Sequence, residues 1–231
     1  MTHHIASVWS RRSLITGAAG LAAGASLGLT QGCASSSQSV ASTSPLPQRL
    51  SQRQEVVIAM DPSTLKPPFD PVLGFGETGV ALIHSALMTA NERNEIVNDL
   101  ATGYTVSPDG LTWTFTIRSD VTFSDGSALT AEDVAFTFTK AKEAAKVSLP
   151  SFSTAVATSP TTVELRLDQP SSTLLYTAAV LGIVPKAGYR DGYGTKPVGS
   201  GPWKLTSYIQ GQQLILERND SYYGTKAAFA K

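Results

Sequence analysis

The sequence predicts a mixed α/β (α+β) domain, because segments with strand periodicity alternate with segments typical of helices. Residues 112–118 alternate threonine or arginine with large apolar side chains, as a strand with one buried face does. Thr130, followed by Asp133 three residues later, is typical of a capped helix start. Residues 162–167 alternate again and predict a further strand. Both element types therefore recur along one chain.

Composition excludes several classes of protein. The chain has 231 residues, of which 42% are hydrophobic, with 18 basic and 18 acidic side chains. No Lys/Arg cluster forms the basic stripe that nucleic acid requires, so we expect no nucleic-acid partner. Cys33 is the single cysteine, which excludes an intrachain disulfide and a multi-cysteine metal site. We expect no cofactor, no resident metal and no catalytic residue.

The first 33 residues are predicted to be an export signal. Arg11 and Arg12 precede an apolar run, residues 14–30, built mainly from Ala, Gly and Leu. A membrane-spanning helix is the alternative, but this run is shorter and less apolar than the ~20 residues that a span needs. The arginine pair resembles a twin-arginine export motif, although adjacent arginines also occur in ordinary export signals.

Residues 29–33 end in Gly32 and Cys33 and are similar to a lipobox, in which the cysteine becomes the lipidated N-terminus. Thr30 stands where such motifs usually have Leu. Residues 34–54 are rich in Ser with Gln, Thr and Pro, a composition typical of a flexible linker. The predicted organisation is therefore a lipoprotein signal over residues 1–33, a linker over 34–54 and a folded domain over 55–231.

The folded domain begins with two short apolar segments. Residues 55–60 contain the run Val-Val-Ile-Ala-Met and are predicted to form a buried strand. Residues 61–78 hold four prolines and two glycines and are predicted to be a loop. Residues 79–89 place Val80, Ile83 and Leu87 at approximately helical spacing, which predicts a helix.

Turn residues mark the central elements. Residues 107–110, Ser-Pro-Asp-Gly, predict the turn of a hairpin, and residues 125–126, Asp-Gly, predict another turn. The helix that follows Thr130 would bury Val134, Phe138, Ala141 and Ala145 on its inner face. Residues 172–181 predict a short helix, and two strands joined by a turn near Gly211 are predicted to follow Trp203.

Three segments, residues 101–110, 115–138 and 197–224, resemble in order the signature segments of the peptide/nickel-type (family 5) solute-binding proteins of ABC importers. The resemblance implies the first lobe of a type II periplasmic-binding-protein (Venus-flytrap) fold. It also implies an extracytoplasmic protein that captures a solute between lobes and delivers it to a permease driven by ATPase subunits. The lipobox-like residues 29–33 add the expectation of a lipid anchor to the membrane. Members of the family are considerably longer, so we expect the C-terminal lobe to be missing here and the fragment alone to bind solute poorly.

The resemblance places candidate ligand-binding residues in the loop after the first strand, near the end of the long helix and at strand-end turns. These candidates are Phe75, Glu77, Thr78, His84 and Lys146. Each has a simpler interpretation: Phe75 as loop packing, Glu77 and Lys146 as solvated charges, and His84 as a core or surface histidine. Residues 199–203, Gly-Ser-Gly-Pro-Trp, match neither a phosphate-binding loop nor a nucleophile turn and are predicted to be a tight turn before a strand.

Three functions are compatible with these residues. The first is capture of an oligopeptide, a dipeptide or a nickel chelate, with Trp203 tilting the choice slightly towards nickel. The second is a secreted hydrolase. Two observations argue against it: His84 is the only histidine after residue 33, and no nucleophile–base pair is evident. The third is a surface receptor or adhesion lipoprotein on the same fold, which neighbouring permease and ATPase genes would argue against.

Overall fold

The computed structural model describes residues 54–58, 67–76 and 82–231, all of them within one compact unit. Its strands are β1 (Met88–Ala90), β2 (Ile96–Asn98), β3 (Ala101–Val106), β4 (Thr112–Ile117), β5 (Phe152–Ser159), β6 (Thr162–Leu167), β7 (Trp203–Ile209) and β8 (Gln213–Arg218). The helices are α1 (Ala131–Ala144) and α2 (Leu174–Val180), and short 3-10 helices cover Pro71–Leu73 and Tyr193–Thr195. The predicted mixed α/β class is confirmed.

The main sheet is antiparallel, with strand order β3-β4-β6-β5, and α1 packs against it. Trp113, Phe115 and Ile117 are buried on one face of β4, as the alternation predicts. Val134 and Phe138 on α1 are also buried, so strand and helix share one hydrophobic core. At roughly 1.5–3 kcal/mol for each large apolar side chain, this burial is the main stabilising contribution.

Both predicted turns around β4 are present. Gly110 has a φ of 72° and its N–H donates to the Ser107 carbonyl at 2.8 Å. Gly126 has a φ of 88° and its N–H donates to the Phe123 carbonyl at 2.9 Å. Positive φ values of this size are easily adopted only by glycine, which explains the residue type at both positions.

The predicted capped helix is confirmed, and its cap also connects two parts of the fold. The Asp133 carboxylate accepts hydrogen bonds from the Thr130 N–H at 2.8 Å and from the Thr130 hydroxyl at 3.0 Å. Its other oxygen accepts the Lys186 N–H at 2.8 Å, which ties the start of α1 to the segment after α2. The prediction that Ala145 lies on the inner face is wrong, because α1 ends at Ala144 and Ala145 is exposed in a left-handed conformation.

We expect Asp133→Ala to lower the free energy of unfolding by about 2 kcal/mol, because it leaves the Thr130 and Lys186 N–H groups without their acceptor. The neighbouring substitution Glu132→Ala is a matched control. It removes only the exposed 2.9 Å ion pair with Lys186, which solvent screens, so we expect a much smaller loss than for Asp133→Ala. Urea unfolding followed by circular dichroism measures both. Equal losses for the two variants would contradict this role for Asp133.

The helix predicted over residues 79–89 is wrong within the described residues 82–89. Residues 82–87 have no regular structure and Met88 begins β1. Their carbonyls bond to other segments instead of to one another: Leu82 accepts from the Trp203 N–H at 3.1 Å and Ile83 from the Gly201 N–H at 2.9 Å. Ile83 and Leu87 are buried as the spacing indicates, but tertiary hydrogen bonds override the helical pattern.

The buried strand predicted over residues 55–60 is also wrong for its described part. Residues 54–58 form no named strand, and the Val57 side chain is 90% exposed. The segment is held by backbone hydrogen bonds to the last two residues, with the Val56 N–H donating to the Lys231 carbonyl at 2.9 Å. Strands β1, β2 and β5 were not predicted, although β5 alternates buried and exposed residues throughout.

The predicted pair of strands after Trp203 is present. Strands β7 and β8 form a separate two-stranded antiparallel sheet. Gly211 lies between them with a φ of 71°, as a tight turn requires. The sheet is attached to the rest of the fold where Leu82 and Ile83 accept hydrogen bonds from residues 201–203.

Candidate functional site

A groove of about 570 Å³ lies between the segment before the first 3-10 helix, the segment after the second one, and β7. We call it the aromatic groove. It is lined by Pro67, Phe69, Thr195, Lys196, Pro197, Val198, Leu205, Thr206, Ser207 and Tyr208. The Phe69 and Tyr208 rings meet edge to face, with centroids 5.2 Å apart. Lys196 is the single charged side chain among the lining residues, so the groove is suited to an apolar group beside a polar or anionic one.

Backbone and carboxylate hydrogen bonds position the Phe69 wall. The Phe69 N–H donates to the Gly194 carbonyl at 2.9 Å, and a side chain at Gly194 would collide with Pro68. Asp70 caps the first 3-10 helix by accepting the Val72 N–H at 2.9 Å, and it also accepts the Tyr189 hydroxyl at 2.9 Å. Burial raises the pKa of the Asp70 carboxyl above its ordinary value, and these two hydrogen bonds oppose that change.

A buried histidine–tyrosine contact holds the part of the groove lining formed by residues 197–198. His84 Nε2 lies 2.9 Å from the Tyr193 hydroxyl, which in turn donates to the Val198 carbonyl at 2.7 Å. Burial lowers the pKa of His84 to about 3 and raises the pKa of Tyr193 far above its ordinary value. Both side chains are therefore neutral near pH 7. The Tyr189 and Tyr193 rings lie 5.0 Å apart, which connects this contact to Asp70.

The glycines of residues 199–201 are required by close packing. A Cβ at Gly199 would lie 2.0 Å from the Ile83 carbonyl oxygen, and one at Gly201 would lie 2.6 Å from the Leu82 carbonyl oxygen. The Gly199 carbonyl accepts the Ser124 N–H at 2.9 Å. This segment is therefore a close structural junction. It leads into the predicted strand, β7, but the predicted tight turn is wrong, because residues 197–202 form no hydrogen-bonded turn.

The structure brings two of the predicted site residues together. Phe75 is half-buried, with its ring centroid 5.3 Å from that of Phe69 and 6.4 Å from that of His84. Lys146 is exposed, two residues after the end of α1, and forms no ion pair with any described residue. Glu77 and Thr78 lie outside the described residues. Ligand binding by these residues stays a prediction.

Sequence reasoning missed the residues that shape the groove. Phe69 and Tyr208 are 139 positions apart, and no local periodicity connects them. The sequence does contain a signal for the two tyrosines that support residues 197–198. Tyr189 and Tyr193 lie four positions apart in a Gly-rich stretch that has no strand or helix pattern. Aromatic residues at such a place indicate packing of a loop onto a neighbouring surface.

The predicted signal residues Arg11 and Arg12, the lipidation site Cys33 and the linker all lie outside the described residues. Within residues 54–58, 67–76 and 82–231, no helix has the length and apolar character needed to cross a membrane. The same residues contain no cluster of three or more His, Cys, Asp or Glu side chains that could hold a metal ion.

Residues 95–231 match the family described as "Bacterial extracellular solute-binding proteins, family 5 Middle", so the chain belongs to this family. Protein XP55 of Streptomyces lividans is 35% identical over 183 residues, which are 74% of this chain and 33% of that protein. The probable D,D-dipeptide-binding periplasmic protein DdpA of Escherichia coli is 31% identical, over 59% of this chain and 29% of its own length. The chain spans about a third of the length of these relatives.

Solved structures give the same result for the fold. NikA from Brucella suis, in complex with Fe(III)-EDTA, superposes with a TM-score of 0.63 at 26% identity, over 71% of this chain and 36% of that one. DppA from Helicobacter pylori, in complex with the peptide STSA, has a TM-score of 0.60 at 26% identity, over 70% and 39%. The predicted partial periplasmic-binding-protein fold and the predicted family are therefore confirmed.

Proposed function

We propose that the protein is the extracytoplasmic solute-binding component of an ABC importer, which captures peptides or related small solutes and delivers them to a permease. The observation that carries this proposal is the family match over residues 95–231. Relatives named for dipeptide and peptide binding favour a peptide over other solutes. The proposed role is binding and release, without chemical turnover.

The aromatic groove is suited to such a solute. Its Phe69 and Tyr208 rings offer an apolar surface for a peptide side chain, while Lys196 offers a positive charge for a carboxylate. The described chain provides one wall of a binding cleft, and the proposed Venus-flytrap mechanism needs a second lobe to close over the solute.

A nickel chelate is the second candidate solute. NikA, a structural neighbour, was solved with the metal chelate Fe(III)-EDTA. Trp203, which tilts the sequence towards the nickel type, is half-buried at the start of β7. The identity of one aromatic residue is weaker evidence than several relatives named for peptide binding, so a nickel chelate is the second candidate.

Native mass spectrometry of the protein purified from its own cells tests the proposal. The protein is titrated with the tetrapeptide STSA, with a mixed tripeptide library and with Ni(II)–histidine. Saturable binding of peptides supports the leading proposal, and selective binding of Ni(II)–histidine supports the second candidate. The absence of binding to all three would contradict both.

We further propose that residues 1–33 direct export through Arg11 and Arg12, that Cys33 carries a lipid, and that residues 34–54 tether the domain to the membrane. The lipobox-like order of residues 29–33 and the Ser-rich segment after them are the basis for this proposal.

We expect Cys33→Ser to abolish incorporation of labelled palmitate and to move the protein from the membrane fraction to the soluble one, because the substitution removes the sulfur that the lipid would occupy. Ser36→Ala, three residues further along the linker, is the control and should leave both properties unchanged. Palmitate labelling that persists in Cys33→Ser would show that the anchor lies elsewhere.

A further inference from the structure

The hydroxyl of Tyr193 has one proton, and the geometry assigns which of its two neighbours receives that proton in a hydrogen bond. The hydroxyl lies 2.7 Å from the Val198 carbonyl, which can only accept, so Tyr193 donates its proton there. The contact of 2.9 Å with His84 must then be one in which the histidine donates. His84 therefore carries its proton on Nε2, and Nδ1 is an unprotonated buried atom with no hydrogen-bond partner among the described residues.

The hydrogen bond that Tyr193 donates holds a residue that lines the aromatic groove. Val198 and Pro197 line the groove, and the Val198 carbonyl is the atom that Tyr193 holds. Gly199, the next residue, packs so closely on Ile83 and His84 that its backbone position depends on theirs. His84 itself is 2% exposed and is not among the residues that line the groove, so it would act on a solute through other residues.

The same contact also reaches the segment that carries Phe69. The Tyr193 ring packs at a tilt against that of Tyr189, whose hydroxyl donates to Asp70, and Asp70 follows Phe69 in the chain. The path from His84 through the two tyrosines to Asp70 therefore joins the two segments between which the groove lies. The direct hydrogen bond from the Phe69 N–H to the Gly194 carbonyl joins the same two segments, so the path adds a second connection between them.

We propose that His84, held as its Nε2–H tautomer, is a positioning residue that fixes the Tyr193 hydroxyl and thereby the Val198 wall of the aromatic groove. This inference rests on the proposed function for its effect on solute affinity, but the tautomer and the rigidity of the wall are properties of the protein without solute. His84 differs in this role from the direct ligand contact that the sequence suggests.

Three variants separate the hydrogen bond from simple packing. His84→Gln keeps a donor near the Nε2 position, because the glutamine amide nitrogen reaches about as far as Nε2 of histidine. His84→Leu fills the space without a donor. Tyr193→Phe removes the hydroxyl that joins His84 to Val198.

The experiment has one part that needs no solute. Long-range ¹⁵N NMR of the wild-type protein reports the tautomer, and hydrogen–deuterium exchange reports the protection of residues 195–199. We expect a protonated Nε2 and an unprotonated Nδ1, with at least about tenfold faster exchange in His84→Leu and Tyr193→Phe and nearly unchanged exchange in His84→Gln. A protonated Nδ1, or equal exchange in all variants, would overturn the inference.

The second part measures affinity for the tetrapeptide STSA. We expect His84→Leu and Tyr193→Phe to weaken binding about tenfold, and His84→Gln to retain most of it. If the wild-type protein binds neither STSA nor the tripeptide library, the proposed peptide function fails, whereas the tautomer and exchange data still decide the inference about His84. If His84→Leu does not fold, Tyr193→Phe and His84→Gln provide the same comparison.

Discussion

We expect Gly199→Ala to destabilise the fold by at least about 4 kcal/mol, which places it among the most damaging single substitutions. The added Cβ would lie 2.0 Å from the carbonyl oxygen of Ile83 and 2.7 Å from its carbonyl carbon. Both are backbone atoms in a segment already fixed by hydrogen bonds to residues 201 and 203. No side-chain rotation can relieve the collision, so the backbone has to separate.

Gly103→Ala is the matched control for this prediction. A Cβ at Gly103 meets no atom within 4 Å, and the residue lies in β3, where alanine is tolerated. We expect a change of less than about 1 kcal/mol there. Thermal and urea unfolding of both variants measure the difference. If Gly199→Ala retained wild-type stability, the close approach of residues 199 and 83 would be wrong.

The second large effect is acid destabilisation through His84. Its pKa is lowered from 6.5 to about 3 in the folded protein by burial, so the unfolded chain takes up a proton that the fold excludes. The stability associated with the neutral side chain is complete above pH 6.5 and is lost as the pH falls from 6.5 to 3. The loss is about 1.4 kcal/mol per pH unit, or about 2 kcal/mol by pH 5.

His84→Gln is the control, because glutamine does not titrate. The measured quantity is the difference in free energy of unfolding between wild type and His84→Gln from pH 8 to pH 4. Taking the difference cancels the opposing contributions of Asp70 and Asp99, whose pKa values are both raised by burial. It also cancels the nearby charge of Asp125, which acts on Tyr193. A difference that is constant with pH would contradict a buried neutral His84.

The sequence predicts those elements whose determining residues lie close together in the chain. The turn at Gly110 and the cap at Asp133 depend on residues within four positions of one another, and both are present. The helix predicted around Ile83 fails because the carbonyls there pair with residues more than a hundred positions away. Apolar spacing shows which side chains are buried, but not which partner receives the backbone hydrogen bonds.

The candidate site was less predictable for the same reason. His84 and Tyr193 are 109 positions apart, and only the folded chain shows that they form a hydrogen bond. Phe75 lies beside the groove residue Phe69, and its contact with a ligand stays a prediction. Lys146 was placed by the same argument and lies on an exposed surface after α1.

The pairing of residues 54–56 with residues 230–231 has a consequence for the order of folding. The Gln54 carbonyl accepts the N–H groups of Ala230 and Lys231, so these bonds close a loop of nearly the whole described chain. A contact of such sequence separation forms late, after the local hairpins and α1. During synthesis, residues 54–56 therefore stay unpaired until residues 230 and 231 have emerged from the ribosome.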